Sequence, residues 1–99
     1  SGAEEKTPVQ GGLGMELKVF TLPTCPNCPA QKKVAQEVAE KFNIKYTEID
    51  IGTSEGQIEG LIHQVMSTPS TAINEEVIAR GRLISKDELE EEVRKRLGK

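Results

Sequence analysis

Two cysteines, Cys25 and Cys28, are the whole thiol inventory of the chain, and their spacing limits how it can fold. A disulfide stabilises a small domain by closing a long loop in the unfolded chain. This pair encloses only Pro26 and Asn27, so it staples almost nothing. A domain of this size must then be held by its apolar core, and the pair's purpose must be chemical. With 99 residues the chain suffices for one domain. Its first fourteen residues, Ser1 to Gly14, hold four glycines, Pro8 and only Ala3, Val9 and Leu13 as hydrophobic residues. Residues 1–14 are expected to be a disordered leader or tag remnant, with Met15 as the native start of a domain over 15–99.

The rest of the chain alternates strand and helix patterns. Glu16 to Thr21 places Leu17, Val19 and Thr21 on one side and Phe20 on the other, a strand buried on both faces. Leu22-Pro23-Thr24 breaks it, and a helix follows to about Phe42. Its apolar stripe reads Ala30, Val34, Val38 and Phe42, with Ala35 and Ala39 beside it. Ile44 to Ile49 reads as a second strand. Thr53 or Ser54 caps a second helix with Ile58, Leu61, Ile62, Val65 and Met66 at i, i+3, i+4, i+7, i+8, the stripe expected to be buried. Ser70–Ile73 and Val77–Arg80 read as a hairpin around Asn74-Glu75. Ser85 and Glu88 form a capping box, Ile84 and Leu89 a hydrophobic staple, and Leu89, Val93 and Leu97 the buried stripe of a last helix. The order β-α-β-α-β-β-α predicts an α/β fold. Its first βαβ unit should be parallel and right-handed, and its four-stranded mixed sheet should carry helices on both faces.

Composition excludes several function classes. Aromatic residues are 3% of the chain and its formal net charge is −3. Neither a stacking platform nor a basic face for nucleic acid is offered. No apolar run is long enough to span a membrane, and the N-terminus has no apolar signal region. The reading is a cytoplasmic monomer that binds neither nucleic acid nor membrane.

Chemistry concentrates at Thr24-Cys25-Pro26-Asn27-Cys28-Pro29, between the first strand and the first helix. Pro26 suits the first helical position, which makes Cys25 the expected N-cap residue. The free N–H groups and positive end of the helix would then favour its thiolate, lowering its pKa from the free-thiol value of about 8.5. Lys32 and Lys33 add positive charge nearby. Cys28 lies one turn on, within reach of disulfide formation after a small adjustment. A metal-site reading is weaker: zinc usually takes four ligands, there is no third cysteine, and His63 falls off the apolar stripe and reads as a surface residue. An iron–sulfur cluster shared by two chains and a purely structural pair remain alternatives.

A strand, C-P-N-C opening a helix, and Thr68-Pro69 entering a hairpin before a final helix resemble the thioredoxin superfamily. The resemblance covers residues 15–97 and is nearest to the small glutaredoxin-like thioredoxins of archaea and some bacteria. It implies a protein-disulfide reductase without a cofactor or metal. Cys25 would be the exposed nucleophile and Cys28 the resolving thiol, cycling through a redox-active disulfide. Thr68-Pro69 would form a cis-proline loop whose Thr68 backbone pairs with an extended substrate. Gly81 would keep the groove's backbone bare, and Thr24 and Pro26 would flank it. Disulfide-containing client proteins and a thioredoxin-reductase-type electron donor are the implied partners. Thr24 stands where thioredoxins usually carry Trp, and Val19 where they bury Asp. A glutaredoxin working with glutathione is the alternative, with Arg82 or Lys18 meeting the glutathione carboxylates.

Overall fold

The computed structural model describes residues 15–98; the expectation for residues 1–14 lies outside them. The elements are β1 (Glu16–Thr21), α1 (Cys28–Phe42), β2 (Lys45–Asp50), α2 (Ser54–Ile62), β3 (Ser70–Ile73), β4 (Glu76–Ala79) and α3 (Lys86–Leu97). They form a four-stranded sheet in the order β2-β1-β3-β4. β1 runs parallel to β2 and antiparallel to β3, and β3 pairs antiparallel with β4. The expected order and mixed sheet are present. The second strand and the last strand lie one residue away from their expected positions.

β1 separates two cores. Leu17 and Val19 meet Ala35, Val38, Ala39, Leu89 and Val93 from α1 and α3. Phe20 faces the other side with Val65 and Ala72, beneath α2. Sequence and structure also agree on α3: the Ser85 hydroxyl accepts the Glu88 N–H at 3.1 Å, and Gly98 closes the helix in a left-handed conformation. Glu90 ties α3 to α1 through Lys41 at 3.0 Å. That hydrogen bond and ion pair hold its carboxyl below the usual range.

α2 departs from the sequence reading. It ends at Ile62 rather than Met66, stopped by left-handed Gln64, and Val65 N–H reaches back to Gly60 C=O at 2.7 Å. Its stripe faces outward, with Ile58, Leu61, Ile62 and Met66 between 59% and 85% exposed; only Val65 is buried. The inward face is Gly56, Gly60 and His63. At 3.6 residues per turn, Ile58 and Ile62 lie about 200° from Gly56 and Gly60. The close approach of the helix to β2 selects this face, because a Cβ on Gly56 would lie 1.7 Å from the Asp50 carbonyl oxygen.

This rotation also corrects His63, expected on the surface and found 5% exposed. Its ring centroid lies 5.3 Å from that of Phe20. Nδ1 is 2.9 Å from the Glu59 carbonyl, and Nε2 is 3.0 Å from Glu75 without hydrogen-bond alignment.

Candidate active site

The register gathers the site at one end of the sheet. β1 ends at Thr21, and β3 starts at Ser70 opposite Phe20. β4 ends at Ala79 opposite Thr71. The segments after β1, before β3 and after β4 therefore converge, bringing Thr24–Cys28, Thr68-Pro69 and Gly81 to the same end.

Cys25 and Cys28 are joined by a disulfide with a Cα separation of 5.4 Å. Cys25 is half-buried and Cys28 is 2% exposed. The Cys25 N–H closes a turn onto Leu22 C=O at 3.1 Å. The helix starts later than expected. Asn27, not Cys25, occupies the cap position, without a side-chain cap bond, and Cys28 is the first helical residue. Pro29 is the physical reason. A helix capped at Cys25 would need residue 29 to donate its first i→i−4 hydrogen bond, and proline has no N–H. The first bond instead runs from Gln31 N–H to Asn27 C=O at 3.2 Å. The disulfide still lies at the amino end of α1, whose first turn carries no acidic residue. Lys32 is not a free charge beside it: its Nζ pairs with Glu48 at 3.3 Å.

Thr68–Pro69 is a cis peptide bond, as expected. Thr68 is half-buried, Pro69 buried, and Thr24, Pro26 and Gly81 exposed. Gly81 has φ +65°, and a Cβ there would stand 2.3 Å from Ser67 Oγ. Both the left-handed backbone and the close approach require glycine. Among the described residues, no group of three or more His, Cys, Asp or Glu side chains is arranged to hold a metal ion. The two cations assigned to glutathione are both engaged. Lys18 is buried, with Nζ 3.4 Å from Glu75, and Arg82 is 3.3 Å from Glu88.

Sequence reasoning missed Gln31. Of the apolar stripe read for α1, Ala35, Val38 and Ala39 are buried, but its first member Ala30 is exposed, and Gln31 is fully buried in its place. The Gln31 side chain accepts the Ile84 N–H at 2.7 Å and donates to the Ile84 C=O at 3.3 Å. It thereby pins the segment after Gly81 to the first turns of α1. The signal was available: Gln31 falls one turn from both Cys28 and Ala35, a polar residue on the face that enters the core. Gln31→Leu keeps similar bulk but leaves both Ile84 groups unpaired. It is expected to cost about 2–3 kcal/mol in urea unfolding of the oxidised protein; an unchanged midpoint would contradict the clamp.

A mixed sheet carrying a C-x-x-C disulfide at its strand–helix junction, with a cis-proline loop at the same end, defines a thiol–disulfide oxidoreductase of thioredoxin-like fold. Sequence comparison narrows the class: a thioredoxin-domain family profile matches residues 15–94, and the chain belongs to the thioredoxin family. It is 33% identical over 82 residues to a probable thioredoxin of Archaeoglobus fulgidus, covering 83% of this chain and 89% of the relative. It is 32% identical over 83 residues to a thioredoxin of Methanocaldococcus jannaschii, covering 84% and 96%. Among solved structures, malaria-parasite thioredoxin-2 superposes with a TM-score of 0.67 at 17% identity, over 82% of each chain. Oxidised thioredoxin O2 of Arabidopsis thaliana gives 0.65 at 18%, over 86% of this chain and 76% of that one. These two likenesses establish the fold. The protein is an oxidoreductase acting on protein disulfides, and nothing in the comparisons favours a glutaredoxin.

Proposed function

We propose that Cys25 is the attacking thiol and Cys28 the resolving thiol of a protein-disulfide reductase, with Thr68-Pro69, Gly81, Thr24 and Pro26 forming the client-binding rim. The observation that carries this reading is the asymmetry of the bonded pair. Cys25 has solvent access, while Cys28 is 2% exposed. The Cys25 thiolate attacks one sulfur of a client disulfide, and the other client sulfur leaves as a thiol. The Cys28 thiolate then attacks Cys25 sulfur, releases the second client thiol and leaves the Cys25–Cys28 disulfide. Two electrons and two protons pass to the client. A reductase-type donor returns them, and a dithiol that must be kept reduced belongs to the cytoplasm.

Thr68 supports the client-binding part. Neither its N–H nor its C=O is engaged in a main-chain hydrogen bond among the described residues. Both are available to an extended client segment, which would bind by strand-like pairing.

The test is reduction of a two-chain protein disulfide such as insulin, with dithiothreitol as electron source and no glutathione. The protein is expected to accelerate chain separation well above dithiothreitol alone. Acceleration only on adding glutathione would overturn the reading in favour of a glutaredoxin.

A further inference from the structure

We infer that Ser70 is a positioning residue for client binding: its buried hydroxyl sets the orientation of the Thr68 amide. The inference rests on the client-binding role proposed for Thr68. Ser70 is fully buried at the start of β3, yet both hydrogen-bonding functions of its hydroxyl are used outside the sheet ladder. It donates its one proton to the Ser67 carbonyl at 2.7 Å. It accepts the Gly81 N–H at 3.0 Å. One oxygen therefore joins the segment before β3 to the segment after β4, the two backbones that carry Thr68 and Gly81 of the proposed client-binding rim.

The bond to Ser67 matters most. The Ser67 carbonyl and the Thr68 N–H belong to one peptide unit. That unit is trans, since the chain's one cis bond among the described residues is Thr68–Pro69. In a planar trans unit the C=O and N–H point in opposite directions. Holding the carbonyl onto buried Ser70 turns the Thr68 N–H away from the interior, toward the side from which a client must arrive. A strand-like hydrogen bond weakens steeply as donor and acceptor lose alignment, so a peptide plane fixed in advance lowers the cost of binding. The contact with Gly81 acts in the same sense. Gly81 lies so close to Ser67 that a Cβ would collide with its hydroxyl oxygen, and the shared Ser70 bond keeps the two segments at that separation. Ser70 touches no reacting sulfur; it acts through Thr68.

The test compares two disulfides. One is a linear peptide disulfide, the other 2-hydroxyethyl disulfide, which has no peptide backbone. Ser70→Ala is expected to raise KM for the peptide about tenfold, the size of one charge-neutral hydrogen bond lost or misaligned. The kcat for the peptide and the rate with hydroxyethyl disulfide should stay within about twofold of wild type. Ser70→Thr restores the hydroxyl and should restore KM. Ser70→Val has nearly the shape of Ser70→Thr without the hydroxyl and should behave like Ser70→Ala, so the Thr/Val pair decides the matter if Ser70→Ala does not fold. Equal slowing of both disulfides, an unchanged peptide KM, or identical behaviour of Thr and Val would each overturn the inference. The underlying client-binding reading is tested separately on wild-type protein. N-methylation of the peptide at the residues flanking its cysteine should raise KM. If it does not, main-chain pairing at Thr68 is wrong and the role of Ser70 falls with it. If it does while Ser70→Ala leaves KM unchanged, only the inference about Ser70 fails.

Discussion

Cys28→Ser is expected to accumulate covalent complexes with client proteins, whereas Cys25→Ser is expected to trap none; both should lose catalytic turnover to the background rate of the reductant. The asymmetry follows from where the two sulfurs sit. A thiolate must reach a client sulfur in line with the bond it breaks, and the half-buried Cys25 has the required access. Cys28 is enclosed at the first residue of α1. Once Cys25 is joined to a client, release needs a second thiolate nearby. The native Cα separation of 5.4 Å shows that Cys28 is within bonding reach. Serine at position 28 keeps the packing but provides no thiolate, so the mixed disulfide persists. Serine at position 25 removes the attacking group and leaves a thiol that a protein client cannot approach. Electrophoresis without reductant, after incubation with a cell extract, separates the outcomes. Alkylation of the reduced protein by iodoacetamide at neutral pH should modify Cys25 first. Trapping by Cys25→Ser, or dominant labelling of Cys28, would reverse the assignment of the two roles.

The sequence was most legible where one physical effect governs. Alternation around Leu17 and Val19 fixes β1 because a sheet covered on both sides must bury both faces, and the Ser85 cap locates α3 because orphan N–H groups need an acceptor. The dithiol and the Thr68-Pro69 loop stood out because cysteine and proline impose their own chemistry and geometry. Legibility failed where backbone contact decided the outcome. Periodicity assigned the interior face of α2 to its large apolar residues. The structure buries Gly56 and Gly60, since a helix lying directly on the end of β2 must present residues without side-chain bulk. Glycine is a poor helix former, yet Gly56 and Gly60 set the rotation of this helix. The start of α1 was misplaced for a similar reason: Pro26 favours a helix beginning there, but Pro29 denies that helix its first hydrogen bond. Gln31 and Ser70 escaped notice because a buried polar side chain is recognisable only once its backbone partners, distant in sequence, are brought to it.

The orientation of α2 gives the second large effect, with a sign opposite to that of helix propensity. Alanine favours a helix interior over glycine by about 1 kcal/mol, and a buried apolar stripe would make Ile62→Ala cost about 2–5 kcal/mol. The structure reverses both expectations. A methyl on Gly56 would enter the Asp50 carbonyl, with the oxygen 1.7 Å away, and the Thr53 hydroxyl oxygen would be 2.9 Å from it. Neither neighbour can turn aside cheaply. The Asp50 carbonyl accepts from the Thr53 hydroxyl at 2.8 Å and from the Thr53 N–H at 3.1 Å, and the same hydroxyl caps α2 by accepting the Gly56 N–H at 2.9 Å. Relief requires lifting the first turn of α2 off the sheet and disrupting its cap. Gly56→Ala is therefore expected to destabilise by about 3 kcal/mol, at the upper end of ordinary overpacking. Gly60→Ala is a control on the same face. Its Cβ would meet Ile51 and the Val65 carbonyl oxygen at 3.4 Å, a contact a side chain can occupy, so its effect should be small. Ile62→Ala removes a side chain from a residue that is 64% exposed and should stay within about 0.5 kcal/mol of wild type. Urea unfolding of the oxidised proteins, with similar denaturant slopes, measures all three. Ile62→Ala proving costlier than Gly56→Ala would mean that the apolar stripe, not the glycine face, lies against the sheet.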